Sequence, residues 1–204
     1  MSLFRFFVLT FSAGLLVACS SHDTRLTSSA TRYLGADGSI VTRNSVPSNY
    51  AEKISYWDGD GVSGSPSIVI NLSKQTASFY KGGQLVGVSA ISSGREGYRT
   101  PTGSFKITQK NKDHASNLYG DYVDPVTGKV VVANVSVKED PMPAGTVYKG
   151  APMPYFMRFT GGVGMHAGFL PGVPDSHGCI RMPENMAETF FANVAYGTPV
   201  RVTY

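Results

Sequence analysis

Short runs of β-branched and aromatic residues, separated by turn-forming residues, recur along the chain from Pro66 onward. Such runs are typical of strands, because branched and aromatic side chains pack well on a pleated surface. The pattern predicts strands at Ser67–Leu72, Ala77–Lys81, Leu85–Ser92, Gly103–Gln109, Lys129–Val137, Tyr155–Thr160 and Thr198–Val202. The second and third runs flank Gly82 and Gly83, which indicates a β-hairpin. We therefore expect a mainly β fold.

A single helix is predicted, from Pro183 to about Ala195. Proline suits the first turn of a helix, and apolar residues recur at four-residue spacing at Met186, Phe190 and Val194. Cys179 lies shortly before this helix. We expect the positive end of the helix dipole to favour a thiolate there.

Cys179 is the only cysteine of the predicted domain, and it lies in the stretch Ser176–Pro183 beside a histidine, a glycine and an arginine. A thiol attacks well only as the thiolate, so a reactive cysteine needs a nearby base or cation and some exposure. We interpret Cys179 as a nucleophile. The alternative is an inert, buried cysteine.

His166 is the candidate general base, because it lies alone among small residues in Gly161–Gly168. The intervening loop is expected to fold His166 back towards Cys179. A structural core histidine is the alternative.

Four further residues of the cysteine stretch receive roles. Gly178 lacks a Cβ and suits an oxyanion hole, in which its N–H and that of Cys179 would hold the developing charge. Arg181 is expected to bind a substrate carboxylate. Ser176 is expected to hold the loop by hydrogen bonds, and His177 to support the loop or a polar group of the substrate.

His166 together with Ser176–Arg181 resembles the signature of the L,D-transpeptidase (YkuD-type) catalytic domain family. Ile68–Tyr80 and Tyr98–Phe105 resemble its first strands and its Thr-Pro-Thr-Gly turn. The resemblance extends from about Pro66 to the last residue and implies a β-sandwich or barrel domain. The gap between His166 and Cys179 is shorter than in many members, so the loop over the site is expected to be trimmed.

The resemblance implies a peptidoglycan L,D-transpeptidase, in which Cys179 forms a thioester with a stem peptide and passes it to an amine acceptor. Hydrolysis by the same acyl-enzyme, as a carboxypeptidase or endopeptidase, is an alternative. A non-catalytic wall-binding lipoprotein is another. No cofactor or metal is expected, although His166, His177 and Cys179 could form a zinc set with an open position.

The N-terminal segment predicts export. Residues 1–18 have the short apolar run of a signal peptide, and Leu16–Cys19 resembles a lipobox, so Cys19 is expected to carry lipid after cleavage. An ordinary signal peptide is the alternative. With Cys19 lipidated, Cys179 has no disulfide partner.

Domain boundaries follow from composition. Residues 19–64 are rich in polar residues and glycine and predict a flexible tether, with Trp57 docking on the domain as an alternative. The family resemblance implies that residues 65–204 form the catalytic domain. The protein is thus expected to be membrane-anchored and to face the periplasm or cell wall, at the outer membrane where the cell has one.

A formal charge of +4 and a pI near 9.0 make the chain modestly basic. Its Lys and Arg residues are scattered and the chain is expected to be exported, so no nucleic acid partner is expected. An anionic wall polymer is a partner that fits this charge better.

Residues 114–150 are interpreted as an insertion that borders the cleft, with aromatics that line a substrate groove or cover a sheet edge. His114 is a remote candidate for ligation or catalysis.

Overall fold

The computed structural model describes residues 54–204 in full and, before them, only the backbone of two short strands. These are Arg32–Leu34 (β1) and Ile40–Thr42 (β2), which pair antiparallel. The signal-peptide and lipidation predictions, including Cys19, and most of the tether lie outside the described residues. Among the described residues, none belongs to a helix long and apolar enough to cross a membrane.

Strands dominate the described part of the chain, which confirms the mainly β fold class. They are Tyr56–Trp57 (β3), Pro66–Asn71 (β4), Thr76–Lys81 (β5), Gln84–Ala90 (β6), Gly103–Lys106 (β7), Gln109–Val123 (β8), Val130–Ser136 (β9), Val147–Thr160 (β10), Val163–Ala167 (β11), Ile180–Met182 (β12) and Pro199–Thr203 (β13). Glu184–Asn193 (α1) is the one helix that lies wholly within the described residues.

The strands form two mixed sheets in residues 54–204. One has six strands in the order β3-β6-β5-β4-β13-β7, and the other has five in the order β12-β11-β10-β8-β9. The β5–β6 hairpin is confirmed, with Thr76 paired to Ala90 and Lys81 to Gln84. Its turn requires two left-handed residues, and Gly82 and Gly83 supply them at φ of 57° and 85°.

The core lies between the six-stranded sheet, the inner strands of the other sheet and α1. Alternate residues of β4 point inward, so Ile68 and Ile70 are fully buried. Phe79 of β5 meets Phe190 of α1 edge to face, with ring centroids 5.0 Å apart. This contact seats the helix on the sheet.

Trp57 belongs to β3 and packs on the domain. Its ring lies 5.2 Å from that of Phe79 and 6.3 Å from that of Phe190, and β3 pairs with β6. The alternative in which Trp57 docks on the domain is therefore the one observed, although it lies in the stretch predicted as tether.

The segment 114–150 is not an appended insertion. It supplies most of β8, all of β9 and the start of β10, and β8 pairs with β10 from Gln109–Arg158 to Val123–Val147. These residues therefore build the sheet itself, with β9 as its outer edge, so the expectation of an insertion that covers an edge is wrong.

Candidate active site

Two neighbouring parallel strands carry the proposed nucleophile and base. Strand β11 pairs with β12 so that Met165 faces Ile180 and His166 faces Arg181. Cys179 lies one residue before β12 and therefore beside Gly164, two residues from His166 along β11. The sheet thus brings together the cysteine and histidine that the sequence singled out.

The Cys179 thiol is half-buried and contacts the backbone of the turn between β10 and β11. The Gly164 N–H donates to the sulfur, and the thiol lies 3.8 Å from the Gly162 carbonyl, which accepts from it. Burial raises the pKa of Cys179, while the Gly164 hydrogen bond and the charges of Arg158 and Arg181 oppose that rise. The resting group is therefore a neutral thiol at neutral pH.

The His166 imidazole is buried, with 7% of its surface exposed. Its Nδ1 donates to the Ala167 carbonyl at 2.8 Å. A carbonyl only accepts, so the proton lies on Nδ1, and Nε2 is left unprotonated. The backbone therefore selects the tautomer in which Nε2 acts as a base.

The His166 pKa is lowered to about 4, chiefly because burial disfavours the imidazolium, with the charges of Arg181 and His114 adding to the effect. The sequence led us to expect an ionised Cys179 sulfur, whereas both the Cys179 thiol and the His166 imidazole are neutral. The arrangement instead favours general-base catalysis, in which the proton moves as the sulfur attacks.

The predicted effect of the helix dipole on Cys179 also needs correction. Three strand residues, Ile180–Met182, lie between Cys179 and the start of α1 at Glu184. A strand of this length spans about 10 Å, whereas the dipole acts mainly within the first helical turn. The thiol environment therefore depends on the backbone of β11 and on nearby arginines.

Ser176 closes the turn that carries the cysteine, Asp175–Cys179, which we term the nucleophile loop. Its hydroxyl donates to the Cys179 carbonyl and accepts from the Gly178 N–H at 3.0 Å. Ser176 N–H in turn donates to the Ser93 carbonyl at 3.0 Å, which ties the loop to the segment after β6. Its predicted loop-holding role agrees with these contacts.

Gly178 has a φ of 110°, a conformation that side chains rarely adopt, and it packs closely against Gly94. A Cβ on Gly94 would lie 3.0 Å from the Gly178 Cα and 1.9 Å from the Tyr98 carbonyl oxygen. Two N–H groups, those of Gly178 and Cys179, were predicted to hold the oxyanion. The Gly178 N–H already donates to Ser176, so the oxyanion hypothesis now rests on the Cys179 N–H.

His177 is exposed two residues before Cys179 and lies between two tyrosines. Its ring stacks on Tyr119 with centroids 4.1 Å apart and meets Tyr98 edge to face at 4.7 Å. Arg95 donates to its Nε2 at 2.7 Å. The His177 pKa is lowered to about 4 by partial burial and by the charges of Arg95 and Arg181, so its ring is neutral. This position fits the predicted supporting role.

Residues 65–202 match the L,D-transpeptidase catalytic domain (YkuD) family. The chain belongs to this family. No curated protein matches the sequence.

Solved structures similar to this member of the YkuD family include three bacterial L,D-transpeptidases. They come from Stackebrandtia nassauensis, at 20% identity and a TM-score of 0.50, from Mycobacterium smegmatis, at 17% and 0.52, and from Xylanimonas cellulosilytica DSM 15894, at 22% and 0.50. The matches cover 69%, 69% and 70% of this chain and 56%, 59% and 62% of theirs. The chain thus spans less than two thirds of these relatives, and the likeness shows the YkuD fold.

Arg181 is already paired in this YkuD domain. Its Nη1 lies 2.6 Å from Asp175 Oδ2, and both side chains are partly buried. The guanidinium therefore braces the nucleophile loop against β12. Binding of a substrate carboxylate by Arg181, as predicted, would have to share or displace Asp175.

Arg158 is a residue of the site that sequence reasoning missed. It lies on β10, donates to Gln109 Oε1 and to the Gly161 carbonyl, each at 2.6 Å, and its charge lowers the pKa of Cys179. Sequence reasoning also missed Tyr119, whose ring stacks on His177 of the nucleophile loop. Neither is close to Cys179 in sequence, and only the pairing of β8, β10 and β11 brings them there.

His114 lies on β8, which β10 separates from β11, the strand of His166. It stacks on Phe156 at 4.2 Å, and Phe156 lies 6.4 Å from His166, all ring centroid distances. In residues 54–204, no three His, Cys, Asp or Glu side chains are placed to hold a metal ion. His166, His177 and Cys179 therefore do not form the zinc set considered from the sequence.

Proposed function

We propose that this YkuD-family protein is a peptidoglycan L,D-transpeptidase with Cys179 as nucleophile and His166 as general base. Family membership supports the reaction class. The observation that carries the residue roles is the parallel pairing of β11 and β12. It places Cys179 beside the strand that presents His166 in the tautomer with a basic Nε2.

The first half-reaction transfers an acyl group to sulfur. As Sγ attacks the carbonyl carbon of a stem peptide, His166 Nε2 takes the thiol proton, and the carbonyl oxygen becomes an oxyanion held by the Cys179 N–H. When the tetrahedral intermediate collapses, the C–N bond breaks, and the imidazolium gives its proton to the leaving amine. A thioester on Cys179 remains.

The second half-reaction regenerates the thiol. His166 takes a proton from an acceptor amine as its nitrogen attacks the thioester, and the proton then returns to the departing sulfur. With a stem-peptide amine as acceptor the product is a crosslink, and with water it is a trimmed peptide. The neutral resting pair suits both halves, because Nε2 starts unprotonated.

The test compares purified wild-type protein with the Cys179→Ala variant on isolated wall fragments, by mass spectrometry of the products. New crosslinked dimers with wild type alone support the transpeptidase proposal. Trimmed tripeptides with wild type alone assign hydrolysis instead. Identical products from both proteins would exclude an enzyme that depends on Cys179.

Membrane anchoring through Cys19 is also proposed, on the lipobox-like sequence Leu16–Cys19. Metabolic labelling with a fatty acid tests it, with Cys19→Ala as the matched variant. We expect label in the wild-type protein alone, in the membrane fraction. An unlabelled wild-type protein would contradict the anchor and leave the thiol chemistry untouched.

A further inference from the structure

A cavity of about 530 Å³ lies next to the nucleophile loop. Neither Cys179 nor His166 lines it. Its walls include Leu72, Arg95, Glu96, Arg99, Thr100 and Pro174. It shares one of these residues with the active site, because Thr100 Oγ1 donates to the Gly178 carbonyl at 2.8 Å.

Two charged side chains in the cavity wall have no partner among the described residues. Arg99 and Glu96 are exposed, and neither makes a side-chain hydrogen bond or ion pair within residues 54–204. Arg95 contacts the His177 imidazole, the Tyr98 ring and the Asp175 backbone carbonyl rather than a carboxylate. The cavity therefore offers two guanidinium groups, neither in an ion pair, and one unpaired carboxylate.

This set of groups defines the chemistry of a ligand. Guanidinium groups bind carboxylates through paired N–H donors, and a carboxylate accepts hydrogen bonds from an ammonium group. Leu72 and Pro174 add an apolar surface against which an aliphatic part of the ligand can pack. A short peptide that carries both a carboxylate and an amine satisfies all of these groups.

We propose that the cavity is a second peptide-binding site, in which Arg99 and Arg95 hold a carboxylate and Glu96 holds an amine. The identity of that peptide as a wall stem peptide rests on the proposed function. Neither Cys179 nor His166 lines this site, which holds a second peptide in addition to the one that acylates Cys179.

Arg95 connects this cavity to the nucleophile loop. Its side chain lines the cavity and donates to His177 Nε2 at 2.7 Å, while its backbone N–H donates to the Ser176 carbonyl at 3.0 Å. A carboxylate that draws the guanidinium towards the cavity weakens its hold on His177, two residues from Cys179. Occupancy of the cavity therefore changes the reactivity of the thiol.

Calorimetric titration with a stem tetrapeptide tests binding. It uses the full chain as Cys179→Ala, which cannot form a thioester, and the same protein with Arg99→Ala, Arg99→Lys or Arg201→Ala added. Arg201 is an exposed arginine on β13 outside the cavity and serves as the matched control. We expect about tenfold weaker binding with Arg99→Ala, an intermediate loss with Arg99→Lys and no change with Arg201→Ala.

Equal affinities of the Arg99→Ala and Arg201→Ala proteins would overturn the second site. Loss of affinity in both would do the same, because it would show a general charge effect. These outcomes are separate from the test of function. A protein that crosslinks but binds independently of Arg99 refutes only the site, and one that binds through Arg99 but yields no product refutes only the transpeptidase.

Alkylation of Cys179 by iodoacetamide tests the coupling. We expect the tetrapeptide to change the alkylation rate by at least about twofold, and Arg99→Ala protein to need about tenfold more peptide for the same change. The same dependence on peptide concentration in both proteins would show that the peptide acts at the Cys179 cleft alone, and would overturn the coupling.

Discussion

At the scale of single residues, the proposed chemistry depends on the protonation states of the Cys179 thiol and the His166 imidazole. The carbonyl of Ala167 fixes the proton of His166 on Nδ1, and burial holds its pKa at about 4. Burial also raises the pKa of Cys179. Both shifts favour the uncharged form, so in the proposed mechanism the thiol proton moves during the attack rather than in the resting state.

Alkylation of Cys179 measured against pH tests that resting state. Because the folded protein raises the thiol pKa, we expect the iodoacetamide rate at Cys179 to rise with pH and to reach its midpoint above that of N-acetylcysteine measured alongside. A rate that is already maximal at pH 6 would show a thiolate–imidazolium pair and contradict the neutral arrangement.

Replacement of His166 separates its role as base from any role in setting the thiol pKa. We expect His166→Gln to lower turnover about 10²- to 10⁴-fold, since the base is lost. The alkylation midpoint of Cys179 changes little, because a group with a pKa of about 4 is uncharged near neutral pH. Unchanged turnover would assign the base elsewhere.

At the scale of elements, the site is made by a short strand that local sequence does not reveal. Ile180–Met182 has only three residues and exists as a strand because it pairs with β11, the strand that precedes it across the loop 168–179. Strand β8 was missed for a different reason. Its residues Asn111–Asp113 are polar and exposed, so its first half lacks the alternation that identifies a strand.

The elements that were predicted have local causes. The β5–β6 hairpin follows from two glycines at the turn, and α1 follows from apolar spacing that buries Met186 and Phe190. Cys179 and His166 could be singled out because the residues beside them in sequence suit chemistry. Arg158 and Tyr119 could not, because their relation to the site depends on the order of strands in the sheet.

The nucleophile loop provides a prediction at this scale. Ser176→Ala removes the acceptor of the Gly178 N–H and the donor to the Cys179 carbonyl, at a residue with 2% of its surface exposed. We expect a loss of about 1–3 kcal/mol in the free energy of unfolding, together with reduced turnover. Urea unfolding and the wall-fragment assay measure the two effects.

Ser104→Ala is the matched control for this substitution, because Ser104 is exposed on β7 and makes no side-chain hydrogen bond within the described residues. We expect it to leave both quantities within error of wild type. Equal stability and turnover of the two variants would mean that Ser176 does not hold the loop.

At the scale of the whole molecule, the folded unit begins before the stretch that the sequence assigned to the domain. Trp57 packs across Phe79 and Phe190 and so connects β3, the six-stranded sheet and α1. Composition did not reveal this, since two adjacent aromatic residues, Tyr56 and Trp57, in an otherwise polar stretch resemble part of a tether. The packing partners of Trp57 lie far along the chain.

Removal of the Trp57 ring tests this boundary. We expect Trp57→Ala to lower the free energy of unfolding by about 2–3 kcal/mol, because the ring fills space against two aromatic side chains. Tyr56→Ala, at a neighbour with 42% of its surface exposed, is expected to cost less than about 1 kcal/mol. Equal effects in urea unfolding would place Trp57 outside the folded unit.

The parallel pairing of β11 and β12 has a consequence for how the proposed activity is lost on heating. His166 lies on β11 and Cys179 directly precedes β12, so the separation of these two residues changes little while that ladder is intact. Gradual inactivation below the melting transition is therefore not expected, and heat should abolish turnover in the same cooperative step that melts the sheet.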